Sequence, residues 1–61
     1  MIEIGDMIVE KEGCGIVTEI SKVGNVTVEF NRKEDNKFVS HMKNVLLLIE
    51  MGRWKVQKVE K

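Results

Sequence analysis

Sixty-one residues, with ten basic and ten acidic side chains and a 43% apolar fraction, describe one small domain of zero formal net charge. The single cysteine excludes an internal disulfide, and one Cys with one His falls short of any zinc-binding set. The longest apolar run, VLLLI at 45–49, is far too short to cross a bilayer, and the acidic start (Glu3, Asp6, Glu10) does not resemble a secretion signal. The expectation is therefore a cytoplasmic protein with no membrane partner and no bound metal or other cofactor. Charge is divided unevenly: residues 1–30 carry six acids and two bases, and residues 31–61 carry four acids and eight bases. A mixed, solvated surface is the default consequence, since strands from the two halves interleave.

Short β-branched runs cut by glycine and polar turns predict an all-β fold. MIVEK (7–11) follows Gly5–Asp6, where the Asp6 carboxylate is expected to accept hydrogen bonds in a turn. GIVTEIS (15–21) follows a Gly13–Cys14–Gly15 turn. NVTVEFN (25–31) has the cleanest period of two in the chain, with Val26, Val28 and Phe30 on one face. Gly24–Asn25 before it favours a tight hairpin. NRKEDNK (31–37) reads as a polar hairpin tip returning through FVSH (38–41). MKN (42–44) reads as a single helical turn. VLLLIE (45–50) is apolar on both faces and reads as a doubly covered fifth strand. A continuous helix over 38–51 is the competing assignment, disfavoured by its valines and by an apolar run that covers the whole circumference. After Gly52, RWKVQKV (53–59) alternates again, placing Trp54 and Val56 opposite Arg53, Lys55 and Gln57.

Five short antiparallel strands, with residues 52–61 as a sixth strand or a basic tail packed on a 1–51 barrel, point to a small closed sheet. The segments IGDMIVEKEGCGIVTEI and NVTVEFN resemble SH3-like (Tudor/KOW-type) barrels at Gly5, Asp6, Ile8, Gly13, Gly15, Val17, Ile20, Val26, Val28 and Phe30. HMKNVLLL is similar to the turn and strand that close such barrels. The chain looks most like the small C-terminal domain of UvrD/PcrA helicases and the polymerase-binding domain of CarD-like regulators. The resemblance covers residues 2–49 and implies a binding domain for other proteins, often RNA polymerase, or for nucleic acid. The basic tail departs from the pattern.

No catalytic set can be assembled. Cys14 has acidic sequence neighbours, which disfavour a reactive thiolate, and a Cys14–His41 dyad is not demanded by any spacing. Gly13 and Gly15 lack the third glycine and following helix of a phosphate loop. The candidate contact residues for a protein or nucleic-acid partner are Arg53, Trp54, Lys55 and Lys58 in the C-terminal segment, Arg32 and Lys33 in the hairpin tip, and His41. Trp54 is the most informative of them: it is either a stacking or anchoring ring or a core residue, and alternation puts Arg53 and Lys55 on the opposite face.

The expected function is a small non-enzymatic interaction module of bacterial or phage type that binds a protein partner, RNA polymerase or a replication or repair protein. One alternative is direct nucleic-acid binding through the basic C-terminal segment. The other is an assembly subunit that self-associates through VLLLIEM, as a homodimer rather than a monomer.

Overall fold

The computed structural model describes residues 2–59. Five strands and one helix follow in order: β1 (Met7–Glu10), β2 (Gly13–Ile20), β3 (Asn25–Phe30), β4 (Lys37–His41), α1 (Met42–Glu50) and β5 (Lys55–Gln57). All pairings are antiparallel, and the sheet order is β4-β3-β2-β1-β5, so the last strand returns to the first. The all-β expectation with a short helix before the final strand holds. Glu60 and Lys61, the end of the basic C-terminal segment, lie outside the described residues.

The alternating residues of β3 (Val26, Val28, Phe30) point inward and join Ile2, Ile8, Val17, Val45 and Trp54 in one core. Trp54 packs edge-on against Phe38, with ring centroids 5.0 Å apart, and against Phe30 at 5.8 Å. Phe38 belongs to one outer strand of the sheet and Trp54 directly precedes the other. Their contact shows that the sheet curls until its two ends meet over the core.

Two assignments along the chain are corrected. Gly13–Cys14–Gly15 is not a turn; it opens β2, and the connection is made by Lys11–Glu12, with Glu10 opposite Gly13. The glycine is needed at 15 because Phe30 lies across it. A Cβ there would stand 2.8 Å from Phe30 Cδ1 and 2.8 Å from the Glu29 carbonyl oxygen. Further along β2 the register slips between Val17 and Glu19, leaving Thr18 as a bulge. That extra residue lets Val17 and Ile20, three positions apart, both face inward.

VLLLIE is not a strand, and MKN is not an isolated turn: the two form the nine-residue helix α1. The competing 38–51 helix is also excluded, because residues 38–41 belong to β4. Sequence favours this outcome through leucine's high helix propensity. Tertiary contacts decide where it starts. The Lys43 N–H donates to His41 Nδ1 at 3.2 Å, and the Met42 N–H donates to the Gly24 carbonyl at 2.7 Å. Met42, Val45, Leu48 and Ile49 turn toward the core. The run is apolar all round because Leu46 and Leu47 are exposed, not because both faces are covered. At the far end Gly52 adopts φ +80°, and its N–H donates to the Ile49 carbonyl. The next two N–H groups, of Arg53 and Trp54, both donate to the Leu48 carbonyl, and this tight exit delivers Trp54 into the core.

Gly15→Ala is expected to lower stability by about 1–3 kcal/mol through overpacking against Phe30. Trp54→Ala is expected to cost about 3–5 kcal/mol, a large part of the stability of so short a chain. Urea unfolding followed by circular dichroism measures both.

Candidate functional site

The seven candidate contact residues do not form one site. Trp54 is 5% exposed and belongs to the core, so its ring is not presented to a partner. His41 is engaged at the start of α1, where Nδ1 accepts from Lys43 and Nε2, 3.1 Å from the Val23 carbonyl oxygen, carries the proton donated to it. Arg32 covers the Phe30 ring at 4.5 Å, donates to Glu10 at 3.0 Å and also donates to the Asp35 carbonyl. Lys33 is exposed at the tip of the β3–β4 hairpin. Arg53 and Lys55 line a shallow groove of about 260 Å³ with Val9, Glu10, Lys11 and Gly52.

Lys58 has a structural partner. Its ammonium group donates to Asp6 at 2.7 Å and to Glu3 at 3.2 Å. Asp6 is buried, and its carboxylate also accepts the Glu3 N–H at 2.8 Å. The Asp6 carbonyl accepts from the Val17 N–H at 2.9 Å. One aspartate thus ties the N-terminal turn to β2 and to the segment leaving β5. The hydrogen bond from Lys58 holds the Asp6 carboxyl below its ordinary value, helped by the Glu3 N–H and opposed by desolvation. The same hydrogen bond raises Lys58, opposed by desolvation and helped by Glu3.

Cys14 and His41 are at opposite ends of the sheet: Cys14 pairs with Val9 near the β1–β2 turn, whereas His41 pairs with Asn25 beside the β2–β3 turn. They cannot act as a dyad. Among the described residues no three His, Cys, Asp or Glu side chains converge to hold a metal ion, and no helix is long and apolar enough to cross a membrane.

Beyond singly exposed apolar residues (Ile4, Val23, Val39 and Val59), the fold groups apolar side chains on the outer sheet face and on α1. On the outer face of the sheet, opposite the inward Ile8, Gly15 and Val17, cross-strand pairing sets Met7 beside Ile16 and Val9 beside Cys14. Ile16 is 41% exposed. Gln57, Lys55 and Glu29 flank this strip, opposite Met7, Val9 and Ile16 respectively. The second place is α1, where Leu46, Leu47 and Met51 are all about half exposed. Next to it Ile2, Ile20, Met42 and Leu46 line an apolar cleft of about 510 Å³. The sequence reading placed Lys55 among the contact residues but missed the strip it borders. Outward apolar residues are visible in a sequence only once the inward set and the pairing register are known.

Comparison with known proteins gives no match: no family model fits the chain, and neither curated proteins nor solved structures yield a significant relative.

The Asp6–Lys58 contact gives stability a definite pH dependence. Asp6 contributes stability above its ordinary value of 3.8 and loses that contribution as pH falls through its lower folded-state value. Lys58 contributes below 10.5 and loses its share as pH rises through its higher folded-state value. Asp6→Asn is expected to lower the melting temperature at pH 7, with the gap to the parent chain closing toward pH 2. Melting curves of both proteins across that range measure it.

Proposed function

We propose that this chain is a non-enzymatic interaction module of the SH3-like kind, which docks on a protein of the transcription or replication and repair machinery through the outer face of β1, β2 and β5. The observation that carries this reading is the strip formed by Met7, Val9, Cys14 and Ile16. It is a continuous apolar centre with a polar rim at Lys55, Gln57 and Glu29, the general plan of a protein-recognition patch. The antiparallel strands and the short helix before the last one support the barrel resemblance. Zero net charge favours a protein over nucleic acid as the ligand.

Nucleic-acid binding is the second reading, favoured by the three cations Lys11, Arg53 and Lys55 around one groove. It has lost two of its sequence-level supports. Trp54 is buried, and Lys58 is committed to Asp6 and Glu3.

The immobilised chain is expected to retain RNA polymerase or a replication or repair protein from bacterial extract. Ile16→Asp should reduce that retention at least roughly tenfold, the scale of one interface anchor, while leaving the fold intact by circular dichroism. Retention of none of these proteins, or retention that ignores the substitution, would overturn the proposal. Amide shifts confined to Lys11, Arg53 and Lys55 on adding short mixed-sequence DNA or RNA, and suppressed by salt, would move the assignment to nucleic acid.

A further inference from the structure

We infer that α1 is the contact helix of a two-fold homodimer, packed antiparallel against the same helix of a second copy. The inward side of α1 holds Met42, Val45, Leu48 and Ile49. At about 100° per residue, the exposed side carries Lys43, Asn44, Leu47 and Glu50, with Leu46 at its edge beside Met42. Leu46 is 47% and Leu47 52% exposed, and the two flank the Lys43–Glu50 stripe about 50° to either side, Leu46 on the side of Met42. Lys43 lies about one turn before them and Glu50 about one turn after, both on that stripe.

That arrangement is self-complementary in only one direction. The midpoint between Lys43 and Glu50 coincides with the midpoint between Leu46 and Leu47. A two-fold axis through this point brings leucines onto leucines and sets Lys43 opposite Glu50 of the second copy, twice. A parallel pairing would oppose Lys43 to Lys43 and Glu50 to Glu50. The charges therefore select the antiparallel dimer.

The same two charges work against the helix that carries them. Lys43 sits in the first turn and Glu50 in the last, with no acidic residue in the first turn and no basic residue in the last. A helix dipole favours the reverse. An antiparallel neighbour supplies each end with the opposite charge, which the isolated helix lacks.

A nine-residue helix is only about 13 Å long, and a specific interface buries at least about 1,000 Å². The cleft lined by Ile2, Ile20, Met42 and Leu46 extends the contact. It lies on the Leu46 side of α1, and a two-fold axis perpendicular to both helices places the Leu46 sides of the two copies together. The outer sheet face stays open in this dimer, because α1 packs on the inner side of the sheet through Val45.

Sedimentation equilibrium at low ionic strength, over a range of chain concentrations, tests the dimer directly. The parent chain should associate to dimers and no further. Lys43→Glu and Glu50→Lys should each weaken dimerisation roughly tenfold, since each turns two exposed attractions into two repulsions. Mixed in equal amounts, the two variants should recover near-parental affinity as a heterodimer, visible in native mass spectrometry. Both substitutions place a favourable charge at a helix end, so melting temperatures of the dilute variants should not fall. A parent chain that remains monomeric at millimolar concentration overturns the homodimer and assigns the helix face to a different protein. Dimerisation unaffected by the single changes, or not restored by mixing, overturns the antiparallel register.

Discussion

The fold depends on one aromatic contact made across the whole sheet. Trp54 stands between Phe30 and Phe38, edge-on to both. A five-stranded sheet has two open ends, and a chain this short has no second layer broad enough to cover an inner face. Curling the sheet so that Phe38 of one outer strand packs on the indole that precedes the other covers the inner face, although β4 and β5 do not pair with each other. The helix α1 then only has to cover the remaining opening, which it does chiefly with Val45. Several local features serve this closure. Gly15 leaves room for Phe30, the Thr18 bulge turns β2 so that Ile20 also faces inward, and Gly52 aims the chain so that Trp54 enters the core.

Closure also determines which residues remain for binding. The side chains that look most eligible in the sequence (a lone tryptophan, a lone histidine, an arginine in a polar loop, a lysine near the C-terminus) are occupied in building the domain. Trp54 is core, His41 caps α1, Arg32 shields Phe30, and Lys58 holds the buried Asp6. Among the side chains left outside are two groups of apolar residues: the Met7–Ile16 strip on one side and the leucines of α1 on the other. Under the two proposals above, one face would hold a partner and the other a copy of the chain. Pairing two modules in this way would join two weak contacts into a stronger one through effective concentration.

Much of the fold was legible. In NVTVEFN the alternation of Val26, Val28 and Phe30 with Thr27 and Glu29 was enough to place β3 and its inward face. In RWKVQKV the same reasoning put Trp54 and Val56 on one face and Arg53, Lys55 and Gln57 on the other; that the Trp54 face is the inner one came from the structure. The candidate site was much less legible. A cation's availability depends on whether an acid lies within reach across the fold, as Glu10 does for Arg32 and Asp6 for Lys58, at sequence separations of 22 and 52.

The sequence by itself determined the class of fold, the inward residues of β3 and the two-faced alternation of the last strand, because these follow from local periodicity and residue type. Tertiary structure decided that VLLLIE is helix rather than strand, since an apolar run carries no period and only the cap at His41, the Gly24 contact and the inward fit of Val45 select one. It also decided that GCG begins a strand, because the reason for Gly15 is a ring fifteen residues away that packs across it. Local pattern records what a residue prefers; only the closed sheet records what it touches.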